Sequence, residues 1–385
     1  MRHPLSAILF LAVFLSLLVG CHVYFWRRMV RDPFPEGTAR RVATWAFAAV
    51  AGILGAGILF GRLLVQWLPR WARYVANGWL GLFGLIVTFL FLADVLRGFW
   101  RVARPAPVAP ERRRFFARLV AAGAGTASLG LGAWGVKGAL RRVRVKRLSI
   151  ALDRLPAAAD GYRLVQLSDL HIGATLDGAF LEQIVAEVEA LGPDLVVVTG
   201  DLVDGPVALL DPWLAPFRRL RPRDGVFFVT GNHEYYVGAK AWLAHLPSLG
   251  LRPLQNERVR LGGFELAGVP DWSARHYDDE VRPDVARVVA GRDPGLPLIL
   301  LAHQPAHAEE AAAHGVDLQL AGHTHGGQMF PITVLVHLYT RFVAGLYRRG
   351  PFQIYVSEGT GFWGPPMRIG TEAEVTEITL RRPVV

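Results

Sequence analysis

Apolar residues are distributed along this chain in two different ways. Up to about residue 140 they form long stretches, at 5–26, 42–67, 75–100 and 115–136. Each reaches the roughly 20 residues that a helix needs to cross a bilayer. Beyond residue 148 the runs shorten to strand length, at 162–167, 194–199, 226–230, 296–301 and 316–320. Aliphatic runs of this length, bounded by glycine and polar residues, predict buried strands. Between the first two, Phe180, Ile184, Val185 and Val188 recur at helical spacing, which predicts an amphipathic helix over 179–191. Strands alternating with helices predict an α/β domain, whose ligands gather at the carboxyl ends of its strands. The expected organisation is a transmembrane helical region over 1–140, with about four helices, and a globular domain over 148–385.

Trp26, Trp67, Trp71 and Trp100 stand at the ends of the long stretches, where interfacial aromatic belts form. Arg62 and Asp94 lie near span ends and read as side chains snorkelling to the interface. The fourth stretch is only moderately apolar. Its Ala124, Ser128 and Gly132 form a ridge of small residues suited to close helix packing. Arg112, Arg113 and Arg114 precede Phe115 and Phe116, a run similar to a twin-arginine export signal without a cleavage site, so the helix is expected to be retained. The box ending in Cys21 resembles a lipoprotein cleavage site, but apolar residues continue to Trp26 and favour a span.

Arginines cluster in the first loop (Arg27, Arg28, Arg31, Arg40, Arg41) and the third (Arg97, Arg101, Arg104, Arg112 to Arg114). The positive-inside rule then puts the globular domain outside a multi-pass inner membrane, on the periplasmic face. Lys137, Arg141, Arg142, Arg144, Lys146 and Arg147, after the fourth stretch, pull the other way. These arginines also account for much of the formal net charge of +10. No basic recognition helix or stacking motif accompanies it, so no nucleic-acid partner is expected. Cys21 is the only cysteine, which excludes an intramolecular disulfide and a cysteine-zinc site.

The chemistry sits in five polar clusters, each following one of the short runs. They hold Asp169 and His171; Gly200, Asp201 and Asp204; Gly231, Asn232, His233 and Glu234; His303; and Gly322, His323 and His325. Residues two apart in a strand point the same way, so Asp169 with His171, and His323 with His325, are expected to converge. The glycines are expected to let the backbone turn where ligands leave the sheet. Carboxylate, amide and imidazole donors together suit borderline divalent ions such as Mn²⁺, Fe²⁺ or Zn²⁺.

In this order the clusters resemble the calcineurin-like metallophosphoesterase superfamily, over about residues 160–330. The N-terminal membrane segment, the run from Gly322 to Gln328 and the tail from Gly359 to Gly370 are similar to its membrane-associated bacterial phosphodiesterase branch. That branch also resembles pyrophosphatases acting on UDP-diacylglucosamine. The resemblance implies two face-packed β-sheets flanked by helices, and two divalent ions, Mn²⁺ foremost. It implies that Asp169, His171, Asp201 and His325 hold one ion, and Asp201, Asn232, His303 and His323 the other. His233 would protonate the leaving oxygen and Asp204 would orient it; a plain turn residue is the competing reading of Asp204. The implied function is metal-dependent hydrolysis of a phosphodiester or pyrophosphate, with the bilayer and a lipid-linked or envelope phosphoester as partners. The alternative is a non-catalytic membrane sensor or scaffold on the same fold.

Glu234 is expected to cap a helix over 235–249. Residues 271–292 read as a charged helical insertion, and 330–347 as a core or lid segment. The alternative for the last is a lipid-facing surface in which Phe342, Leu346 and Tyr347 enter the interface and Arg341, Arg348 and Arg349 meet phosphate.

Overall fold

Two hydrophobic patterns produce two compact units in the computed structural model, which describes residues 4–61, 68–103, 109–277 and 280–383. Arg62, Trp67 and Arg104 lie outside the described residues. One unit holds Met1–Gly138 with Gly364–Ile369, and the other Ala139–Trp363 with Gly370–Val385.

The first unit is helical: α1 Pro4–Trp26, α2 Thr38–Gly61, α3 Arg70–Ala103 and α4 Pro110–Ala139. Among the described residues three helical stretches, Ala12–Arg31, Arg70–Trp100 and Pro110–Ala139, are long and apolar enough to cross a membrane. The buried positions of α4 are Ala117, Ala121, Ala124, Ser128, Gly132 and Gly135, so the small-residue ridge is its packing face. After α1 the chain makes a π-helical turn, Arg27–Arg31, which buries Arg28. Arg28 pairs with Asp94 at 2.9 Å and with Asp32 at 3.1 Å, and Tyr24 donates to Asp94 at 2.8 Å. Asp94 is thus an ion-paired brace rather than a side chain snorkelling to water, because a charge inside a helical bundle needs a partner.

The second unit is built on two six-stranded sheets. The strands are β1 Arg144–Ala151, β2 Arg163–Leu167, β3 Leu195–Thr199, β4 Val226–Val229, β5 Leu251–Pro253 and β6 Glu257–Arg260. They continue as β7 Glu265–Gly268, β8 Leu298–Leu301, β9 Leu318–Ala321, β10 Gly345–Arg349, β11 Phe352–Val356 and β12 Glu374–Arg381. The orders are β1-β12-β2-β3-β4-β5 and β10-β11-β9-β8-β7-β6. Strands β2 to β5 are parallel, as are β11, β9, β8 and β7. Central parallel strands are covered on both faces, which explains why their runs are apolar throughout instead of alternating. Leu164, Val197 and Phe227 meet Ile299, Leu318 and Tyr355 in a core between the sheets. Val165, Val196 and Phe228 face the other way, against helix α5 (Gly178–Leu191) and its neighbours. Asp177 caps α5 by accepting from Ala179, and Gly192 ends it with a left-handed φ of 56°. Leu181, rather than Phe180, completes its buried face with Ile184, Val185 and Val188.

Two expected helices are altered. The one after His233 breaks at Gly238 (φ 105°) into α7 Asn232–Val237 and α8 Ala239–His245, separated from α5 in the chain by α6 Val207–Leu214. The charged segment is mainly irregular, with a short turn Trp272–His276 and a helix Val285–Val289; its residues 278 and 279 lie outside the described residues.

Candidate metal centre

Each polar cluster follows a strand end: Asp169 and His171 after β2, Asp201 and Asp204 after β3, Asn232 and His233 after β4, His303 after β8, and His323 and His325 after β9. Neighbouring parallel strands end together, so five loops from two sheets meet at one edge. Backbone bonds join them. The Asp169 and His171 N–H groups donate to the Gly200 and Asp201 carbonyls at 3.0 Å, and Gly322 donates to His303 at 2.8 Å.

The side chains converge through left-handed backbone and not through strand alternation. Asp169 (φ 55°), His171 (48°), Asp201 (50°), His323 (73°) and His325 (50°) all lie where L-residues rarely sit. Among the described residues, only Asn256 and Gln328 join them as non-glycine residues with positive φ. Strain concentrated in this way marks a functional site. Of the three loop glycines, Gly200 turns with φ 84°. Gly231 and Gly322 serve close approach instead. A Cβ at Gly231 would collide with Asp201 Oδ1, and one at Gly322 with Ser168 Oγ and Asp169 Oδ2.

Three groups of donor atoms come within 4.8 Å of one another: Asp169, His171 and His325; Asp201, His303 and His323; and His171, Asp201 and His233. His325 Nε2 lies 3.1 Å from His171 Nε2 and 3.4 Å from Asp169 Oδ1. His303 Nε2 lies 3.3 Å from Asp201 Oδ2, which is also 3.8 Å from His171 Nε2 and 3.9 Å from His233 Nε2. Asp201 therefore stands between the groups. Its other oxygen accepts from the His233 N–H at 2.9 Å, and the Asp169 carboxylate accepts from the His323 N–H at 3.0 Å. His323 itself is exposed.

The hydrogen bonds assign the tautomers. His303 Nδ1 donates to the Thr199 carbonyl at 2.7 Å and His171 Nδ1 to Asp204 Oδ1 at 3.1 Å. In the neutral imidazoles the Nε2 atoms then carry the lone pairs, that of His303 toward Asp201 Oδ2 and that of His171 toward His325 Nε2. Buried His303 Nε2 and Asn232 Oδ1 have no hydrogen-bond partner, and Asn232 Nδ2 is committed to Tyr236 Oη at 3.3 Å. A buried imidazole lone pair facing a carboxylate, beside an unpartnered amide oxygen, calls for a cation, and the imidazole and oxygen set fits divalent ones.

Electrostatics agree with that reading. Burial opposes ionisation of Asp201, but the imidazoles of His303, His233 and His171 outweigh it and hold its carboxyl well below the usual range. Asp204 is held low in the same way by His171 and His233, against burial. Burial lowers the His233 pKa, yet Asp201 and Asp204 outweigh it and bring it up to about 9. The protons these imidazoles attract are the positive charge that metal ions would supply.

Several supporting roles emerge only from the fold. Glu234 does cap α7, accepting from Gly231 N–H at 2.6 Å. It also accepts from Asp201, Leu202 and Val203 N–H at 3.0, 2.8 and 3.2 Å, and so braces the Asp201 loop. The signal available was a carboxylate at the third helical position; its second role needs the fold. Tyr236 and Trp363 place rings 5.2 and 5.8 Å from the His233 ring, and both are exposed. Gln328 fixes Trp363 through two 2.9 Å bonds, one to its carbonyl and one from its N–H.

The profile of the calcineurin-like phosphoesterase family matches residues 162–327, the span that carries all five loops. A zebrafish (Danio rerio) "Transmembrane protein with metallophosphoesterase domain" is 34% identical over 99% of this chain and 91% of its own length. An "Uncharacterized metallophosphoesterase" of Helicobacter pylori is 39% identical over 70% of this chain and 73% of its own. Among solved structures, the NAD nucleotidase of Haemophilus influenzae is similar with a TM-score of 0.35 and 15% identity, over 52% of this chain and 45% of that one. With apolar helices ahead of a two-sheet domain, and 99% of its length matched by a relative named a transmembrane protein with a metallophosphoesterase domain, this chain belongs to the calcineurin-like metallophosphoesterase superfamily as a membrane protein.

Proposed function

We propose that this protein is a membrane-anchored hydrolase that uses two divalent ions to cleave a phosphodiester or pyrophosphate bond in a lipid-linked or envelope molecule. The observation that carries the reading is the buried His303 Nε2 facing Asp201 Oδ2 at 3.3 Å, with Asn232 Oδ1 likewise buried and without a hydrogen-bond partner. Asp169, His171, Asp201 and His325 would hold one ion, and Asp201, Asn232, His303 and His323 the other, with Mn²⁺ the best fit to this donor set. When bound, such ions neutralise phosphoryl charge and acidify water.

The protein's own groups do the rest. Asp204 accepts from His233 Nδ1 at 2.6 Å, which leaves Nε2 as the atom that delivers a proton to the leaving oxygen. Glu234 fixes the Asp201 loop, so the Asp201 carboxylate keeps its place while substrate binds. Anchoring by N-terminal helices favours a phosphoester that resides in the membrane. The arginines of the first and third loops support an inner-membrane, multi-pass arrangement with the catalytic domain outside.

The test is hydrolysis by full-length protein in detergent with Mn²⁺, comparing bis-p-nitrophenyl phosphate, p-nitrophenyl phosphate and a UDP-diacylglucosamine-type lipid. Preference for a diester or pyrophosphate supports the proposal. No cleavage of any compound by protein carrying both ions would overturn it.

A further inference from the structure

The helix Ile332–Tyr339 begins shortly after His325 and buries none of its side chains. In the described part of the catalytic unit nine large apolar side chains are exposed, and five of them lie on this one helix: Ile332, Val334, Leu335, Leu338 and Tyr339. Leu338 is 81% exposed and Tyr339 93%. A contiguous apolar patch of this kind is uncommon on a domain that meets only water, and it marks an interaction surface. The residues expected from sequence to meet lipid are elsewhere. Phe342 and Tyr347 pack ring to ring at 5.2 Å against the outer core of the second sheet, and Leu346 packs against the core between the sheets.

Two observations identify the occupant. The same chain carries helices able to cross a bilayer, so a lipid surface is always tethered within reach of this domain. The patch also has a basic rim. Arg341, just past the helix, has an 82% exposed side chain whose ion pair, with Glu309, is a long 3.9 Å. Apolar side chains followed by an exposed arginine match the acyl boundary and the phosphate layer of a membrane interface.

We propose that Ile332–Tyr339 is an interfacial helix that lies in the surface of a phospholipid bilayer, with Arg341 on headgroup phosphates. The helix follows the Gln328 turn, whose side chain fixes Trp363 beside His233. Docking would therefore hold the mouth of the metal centre against lipid. The docking stands without the hydrolase reading; the consequence, delivery of a lipid phosphoester, rests on it.

The first test uses full-length protein with Cys21→Ser, carrying a nitroxide at Leu338→Cys, in phosphatidylcholine vesicles containing phosphatidylglycerol. Arg260→Cys, exposed on β6, is the control. The proposal expects the label at 338 to gain collisions with oxygen and lose collisions with a water-soluble nickel chelate. Nickel access equal to that of the control overturns it. So does low access to both reagents, which would mean a protein partner such as a second copy. The second test is the double variant Leu335→Asp with Leu338→Asp, at two exposed positions. It should slow cleavage of a vesicle-borne lipid phosphoester about tenfold and leave bis-p-nitrophenyl phosphate cleavage unchanged. Equal effects on both substrates, or none on either, overturn the delivery role. A wild-type protein inactive on both substrates refutes the hydrolase reading instead, and the nitroxide result still decides the docking.

Discussion

Asp204 Oδ1 stands 2.6 Å from His233 Nδ1, and the same oxygen stands 3.1 Å from His171 Nδ1. One carboxylate thus fixes the orientation of an imidazole proposed to move a proton and of one proposed to hold a metal ion. Carboxylate partners of metal-binding histidines set both tautomer and basicity.

Removing Asp204 should therefore produce two defects. Asp204→Ala is expected to weaken metal affinity about 10–100-fold through His171. It should also lower the rate at saturating metal by about 10²-fold through His233. His233→Ala should show only the second defect. Metal titration followed by initial rates separates them, and an Asp204→Ala protein with normal affinity would contradict the shared brace.

The loop glycines make a steric prediction. Gly231→Ala and Gly322→Ala push a methyl group into the Asp201 and Asp169 carboxylates and should abolish metal-dependent turnover. Gly262→Ala, at an exposed position with open space around it, should change stability by less than about 0.5 kcal/mol. Metal content and melting temperature of the three variants check this. Normal metal content in Gly231→Ala would refute the close-approach account.

His307 gives a pH dependence away from the metal centre. It is fully buried, neither ring nitrogen has a hydrogen-bond partner, and Trp272 stacks edge-on at 5.1 Å. Glu310 is 3.8 Å from Nδ1. Burial, with Arg275 adding to it, pushes the His307 pKa from 6.5 down to about 4. The unfolded chain takes up this proton below about pH 6.5 while the native state resists until about pH 4, so stability falls as pH drops through that window. The loss is at most about 3 kcal/mol. His307→Leu should flatten the decline in melting temperature between those values. An unchanged slope would assign it to other groups.

The central strands and the five polar clusters were legible because each buried parallel strand is an unbroken apolar run that stops at a polar loop. The way the ligands converge was not legible. Residues two apart in an extended strand share a face, but Asp169, His171, His323 and His325 sit beyond the strands in left-handed backbone. Gly231 and Gly322 looked like turn formers, yet what they provide is room for carboxylates from other loops. Glu234 was visible as a helix cap, whereas its three further bonds depend on how β3 lies beside β4. The apolar helix Ile332–Tyr339 suggested burial, because hydropathy registers that a side chain avoids water and not what takes the water's place.

Metal dependence tests the central claim most directly. Full-length protein would be stripped of metal and titrated with Mn²⁺, with bound ions counted and bis-p-nitrophenyl phosphate hydrolysis followed at each step. The account predicts that the rate saturates only with two ions per chain, and that His233→Ala binds both ions but is at least about 10²-fold slower. Full activity with one ion or none, or an unimpaired His233→Ala protein, would contradict it.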